Sequence, residues 1–137
     1  MTVPNSAVCV ALMVACTSLA ACGRSHTTAQ LTRVTRVEIT DRNTQVLKRI
    51  ENGAEISRLV SFVDQHRKGW MVPSGDIPIP RVHADFYDGP TFVAGFGVGR
   101  GFFETHRNGV FLSKTASESD QKKFLELIGL SPGILDN

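Results

Sequence analysis

Before Arg24 the sequence has no charged side chain, and after Cys22 it has no cysteine. The second absence excludes an internal disulfide and a cysteine-based zinc site for any domain built from the later residues. Gly-x-Ser-x-Gly, His-Glu-x-x-His and Gly-Lys-Ser/Thr are also missing, so the common hydrolase, metalloprotease and phosphate-loop motifs are not available. Charge of one sign is lacking as well. Fifteen Lys and Arg against thirteen Asp and Glu leave +2, too mild and too dispersed for a nucleic-acid-binding face. With 42% apolar and 20% charged residues, the chain has enough apolar material to fold rather than stay disordered. No motif points to a cofactor.

What is present begins at the N-terminus. From Ala7 to Ala21 only Thr17 and Ser18 are polar. Fifteen helical residues span about 22 Å, short of the roughly 30 Å hydrocarbon core. The segment is apolar on every side, so it has no amphipathic face to dock on a domain. These features predict the hydrophobic region of a signal peptide over residues 1–21. Leu19-Ala20-Ala21-Cys22 resembles the lipobox of bacterial lipoproteins, although Met1 to Ser6 lack the basic residue usual in that family.

The resemblance implies cleavage between Ala21 and Cys22, a diacylglyceryl thioether on Cys22 and further acylation, for example by palmitate, of its new amine. Several chains matter, because one acyl chain binds a membrane only marginally. Gly23, in place of Asp, implies sorting to the outer membrane, facing the periplasm, in a diderm cell. The membrane is then one partner, through lipid that is the only non-protein group expected. Cys9 and Cys16 leave with the signal peptide, and Cys22 alone remains.

Removing residues 1–21 from 137 leaves 116, enough for one core. Gly23 to Gln30 is polar and aperiodic, which predicts a flexible tether over 22–31, with His26 solvated. A single domain follows over 32–131, with a short tail at 132–137. Its predicted strands are Thr32–Thr40 and Gln45–Glu51, joined by a turn at Asp41–Thr44. Ile56, Leu59, Val60 and Val63 have helical spacing and predict a helix over 54–68, ended by Lys68-Gly69. His66 suits its C-terminal end as a cation. Residues 70–80 carry three prolines and form a loop, for which Trp70, Ile77 and Ile79 are candidate apolar anchors. Strands are predicted at Arg81–Tyr87, Thr91–Val98, Phe102–His106 and Val110–Lys114, the last pair turning at Asn108-Gly109. Thr115-Ala-Ser-Glu118 reads as a capping box for a final helix that carries Phe124, Leu125, Leu127 and Ile128 and ends at Gly129. The order ββαββββα predicts an α+β domain, an antiparallel sheet with both helices on one face.

Three candidate sites follow. Gly95, Gly97, Gly99 and Gly101 lack the spacing of a dinucleotide loop and instead leave room for a neighbouring helix or loop. His83 and Asp85 project to one side of a strand, and with His106 and Glu104 they form a metal or His–carboxylate cluster if their strands are neighbours. Against this stands the ordinary role of such positions as the solvent face of half-buried strands. Trp70, Tyr87, Arg100, Phe102 and Phe103 border the long loop and the glycine bend, and suggest a surface for an envelope-protein partner unless the loop seals that face. The leading expectation is a tethered, non-enzymatic binding or accessory domain. A small hydrolase or metal-binding protein using His83, Asp85 and His106 is the alternative, and a purely structural lipoprotein the third.

Overall fold

The computed structural model describes residues 23–137, so the expected signal peptide and Cys22 lie outside the described residues. Six strands form one antiparallel sheet: β1 (Arg36–Asp41), β2 (Val46–Ile50), β3 (Val82–Asp88), β4 (Thr91–Gly99), β5 (Phe102–Arg107) and β6 (Val110–Thr115). Their order is β2-β1-β3-β4-β5-β6. Helices α1 (Gly53–Gln65) and α2 (Glu118–Ile128) both cover one face. The expected α+β class and element order are found.

Strand alternation sorts the two faces. Val37, Ile39, Val82, Ala84, Phe86, Phe96, Val98 and Phe103 point to the helices and are almost fully buried. An aromatic cluster closes this core, with the Phe62 ring 6.1 Å from Phe96, 5.9 Å from Phe103 and 5.6 Å from Phe124. Phe62 was not on the expected helical stripe. Ile56, Leu59 and Phe62 are the buried positions of α1, while Val60 and Val63 are half-buried. The helix is therefore rotated towards the Phe62 side, because the flat aromatic surface of the sheet receives a large ring there.

Helix ends explain their sequences. The Asn52 side chain accepts hydrogen bonds from the backbone N–H groups of Ala54 and Glu55 at 3.0 and 3.1 Å. α1 ends at Gln65, before the expected 68. Free carbonyls beyond it are taken by side chains, with Trp70 Nε1 donating to His66 at 2.7 Å and Lys114 Nζ to Lys68 at 2.9 Å. His66 points a ring nitrogen at its own helix, 2.7 Å from the Phe62 carbonyl. α2 is capped by Ser117, which accepts from Asp120 N–H at 3.0 Å, rather than by Thr115. Thr115 is still paired within β6, so the cap falls two residues later. Asn108 and Gly109 both adopt positive φ, 52° and 75°, which a tight β5–β6 hairpin requires.

Both chain ends depart from expectation. Residues expected to form a flexible tether are docked: His26 N–H donates to the Trp70 carbonyl at 2.6 Å, and Thr28 N–H to that of Arg67 at 2.8 Å. Leu31 is buried, and its N–H donates to Asp64 at 3.1 Å. The polar composition of 23–30 reflects backbone pairing along an exposed edge rather than freedom. Likewise 132–137 is no loose tail, since Pro132–Leu135 forms a 3-10 turn that buries Leu135.

The path from α1 to β3 wraps the sheet. Met71 pairs with Ser113 on the β6 edge through two 2.9 Å hydrogen bonds. The chain then reaches Pro80, which packs on Gly97 on the face away from the helices, and enters β3 with Arg81 N–H donating to Val98 at 2.9 Å. Pro80 thus sits on that second face.

Candidate metal centre

The second face is where the polar strand positions meet. Cross-strand pairing aligns His83 (β3), Gly97 (β4) and Glu104 (β5) in one row, and Asp85, Gly95 and His106 in the next. Side chains on β3 and β5 start about 10 Å apart, two strand spacings, with β4 between them. Glycine on β4 removes the obstacle. A Cβ at Gly95 would overlap the His106 ring, and one at Gly97 would stand 3.0 Å from Glu104 Oε2 and 2.6 Å from Pro80 Cγ. The glycines do leave space, as expected, but for the loop and for these side chains rather than for a helix.

Three groups converge in that space. Glu104 Oε2 lies 3.5 Å from His83 Nδ1, and Glu104 Oε1 lies 3.4 Å from His106 Nδ1. Each residue offers a ligand atom within 4.8 Å of the others. The Glu104 side chain is only 2% exposed, yet among the described residues neither of its oxygens has a well-aligned hydrogen-bond donor, and the two facing imidazole nitrogens lack a well-aligned partner as well. A buried carboxylate without well-aligned hydrogen bonds is costly, and native proteins seldom keep one without a reason. Donor atoms bound at 2.0–2.1 Å to a tetrahedral ion stand roughly 3.4 Å apart. The two histidine–carboxylate spacings, each to a different oxygen of Glu104, match that edge.

Electrostatics divide the two histidines. Burial pushes His83 below its ordinary range and favours the neutral imidazole, against the pull of Glu104 and Asp85. The long polar contact of the His106 ring with Glu104, and the carboxylate's charge, raise His106, which burial opposes. Without metal, the His106 proton is thus the main compensation for the buried carboxylate. An ion at the same place would displace that proton and take over the role. Asp85 stands outside the three-ligand group, and burial pushes its carboxyl upwards. Of the sequence candidates, His83 and His106 are brought together, and Glu104 rather than Asp85 lies between them.

An apolar collar fixes the rings. Phe92 stacks on His106 with centroids 5.3 Å apart, and Phe111 does so from the other side at 5.4 Å. The His83 and His106 side chains remain 23% and 24% exposed, which leaves an ion a way in. Because the site depends on the missing Cβ of β4, Gly95→Ala is expected to push the His106 ring aside. Zinc affinity measured by titration calorimetry should fall about tenfold or more, the cost typical of disturbing the shell around a metal ligand; unchanged affinity would show that His106 is not a ligand.

The residues expected to form a partner surface do not share one. Trp70 and Phe103 are buried in the helical-face core, at 1% and 0% exposure. Trp70 precedes the crossing loop and packs edge-on against Phe96 at 5.9 Å, while strand alternation turns Phe103 inwards and Phe102 outwards over Gly99. Tyr87 and Phe102 are half-buried and Arg100 is exposed. Of the expected loop anchors only Trp70 is buried; Ile77 and Ile79 are exposed, and Pro80 holds the far end. Comparison of the chain with protein-family models, curated proteins and solved structures returns no match, so its function is read from these residues alone.

Proposed function

We propose that this chain is a lipid-anchored cell-envelope protein whose mature domain binds one divalent transition-metal ion of the zinc class through His83, Glu104 and His106. The anchor rests on the lipobox resemblance at Leu19 to Cys22. The metal reading rests on a single observation: a buried carboxylate with no well-aligned hydrogen bonds, held between two imidazole nitrogens at 3.4 and 3.5 Å. Two nitrogens and an oxygen suit zinc or its first-row neighbours better than calcium or magnesium, which take oxygen ligands.

Binding is favoured over hydrolysis by the surroundings. A substrate needs a cleft over the ion, and here Pro80 packs beside Glu104. A cavity of about 210 Å³, lined by residues such as Leu31, Val63, Phe86 and Leu112, lies on the opposite, helical face. This reading takes up the metal-binding half of the alternative drawn from the sequence, with Glu104 in the place of Asp85.

Two measurements on the full-length chain purified from bacterial membranes test the two halves. Titration with Zn²⁺ is expected to saturate at one ion per chain, and Co²⁺ is expected to give the strong visible absorption of a four-coordinate site. A folded protein that binds none of Zn²⁺, Co²⁺, Ni²⁺ or Cu²⁺ at micromolar concentration overturns the metal reading. Intact mass should show acyl chains on Cys22, and an unmodified cysteine overturns the anchor.

A further inference from the structure

We infer that the 71–79 loop is a membrane-seating surface that rests on the bilayer entered by the acylated N-terminus; the inference depends on the lipid anchor proposed above. Four large apolar side chains of this loop are exposed: Met71 at 37%, Val72 at 59%, Ile77 at 50% and Ile79 at 64%. Asp76 is the only charge in the segment. Exposed apolar side chains concentrated on one loop mark a contact surface, and the position of the chain terminus says which one.

The N-terminal segment is tied to this loop. The Gly23 α-carbon packs on Met71, so that a Cβ there would lie 2.7 Å from its terminal methyl, and His26 pairs with Trp70. From Cys22 to His26 are four residue steps, at most roughly 14 Å of fully extended chain. A free eight-residue tether would let the domain hang in any orientation, but the docked segment removes that freedom. Lipid on Cys22 therefore holds the Met71 edge against the headgroups and brings the apolar loop to the interface. Arg24 and Lys68, both exposed, flank the same entry point and suit anionic headgroups.

The mature chain has no other cysteine, and a lipidated Cys22 has no free thiol, so a single introduced cysteine can be labelled alone. Ile77→Cys, Ile79→Cys and Leu47→Cys, produced as full lipoproteins, would carry an environment-sensitive fluorophore in vesicles of three parts phosphatidylcholine to one part phosphatidylglycerol. Leu47 is also exposed, at 43%, but lies on the β2 edge, about 24 Å across the sheet from β6. Lipids with a quencher on the upper acyl chain are expected to reduce emission at positions 77 and 79 roughly twofold or more and to leave position 47 unchanged. Absent quenching at 77 and 79, or equal quenching at all three, with acyl chains confirmed on Cys22 by mass, overturns the loop inference and leaves the anchor standing. Absence of acyl chains on Cys22 overturns both.

Discussion

Glu104→Gln is expected to reduce zinc affinity by about a hundredfold or more, the upper range for loss of a group at a metal site, while leaving the metal-free domain as stable as before. These opposite outcomes follow from one fact, the burial of a carboxylate that makes no well-aligned hydrogen bond. In the metal-free protein the desolvation cost of that charge is offset by its pairing with protonated His106, so its removal leaves stability nearly unchanged. In the metal-bound protein it is the anionic ligand. At zinc a hundredfold above its dissociation constant, the natural chain should gain about 2.7 kcal/mol of stability that the variant lacks. Thermal unfolding with and without zinc reads the difference, about 10 °C for a domain of this size. A metal-free variant destabilised by more than about 2 kcal/mol would instead mark Glu104 as a partner needed by the fold. The pH dependence has a definite sign. Glu104 raises His106, so the proton that zinc must displace is held more tightly than on a free imidazole. Affinity should therefore rise with pH until His106 is fully deprotonated, up to about tenfold per unit for one proton displaced. His83, pushed down by burial, is neutral earlier and adds little to that slope near neutral pH.

Phe62→Ala should be the most damaging single change in the helical-face core. The ring is 2% exposed and has three phenylalanines within about 6 Å centroid to centroid, so truncation removes burial and leaves a cavity among rigid neighbours. A loss of about 3–5 kcal/mol is expected from urea unfolding, a large part of the stability of a small domain. Val60→Ala on the neighbouring, half-buried line of α1 should cost less than about 1.5 kcal/mol. Equal losses at the two positions would mean that α1 faces the sheet as the sequence spacing alone suggests. Trp70 belongs to the same core, so Trp70→Ala is a stability variant and carries no information about a partner surface.

The orientation of α1 shows where sequence patterning loses resolution. Ile56 and Leu59 mark the apolar stripe, but both Phe62 and the Val60–Val63 pair continue it at acceptable spacing. Only the Phe96, Phe103 and Phe124 rings, distant in sequence, decide between the two. The N-terminal segment teaches the converse. Composition marks 23–30 as free, and its ordering comes largely from main-chain hydrogen bonds to Arg67 and Trp70, helped by the Arg67 side chain donating to the Thr28 carbonyl at 2.8 Å, partners that composition does not reveal. The candidate metal cluster is half legible in the sequence. His83 with Asp85, Gly95 with Gly97 and Glu104 with His106 are three pairs at spacing two on three strands, and period two alone puts each pair on one face. That the strands are neighbours in the order β3-β4-β5, with the glycines in the middle, was the missing condition.

Hairpin turns, caps and alternation act over a few residues, so the six strands, the two helices, the Asn108-Gly109 turn and the α+β class are all legible in local chemistry. The sequence pattern from Leu19 to Cys22 also carries the proposed anchor. Only the tertiary structure decided which carboxylate stands between the histidines. Asp85 and Glu104 are equivalent as strand positions, but cross-strand register puts Glu104 beside Gly97, under Pro80 and out of water, where a charge needs a partner. Register between strands, and the burial it imposes, depends on contacts far apart in the chain, and that is why the candidate ligand set became visible only in the fold.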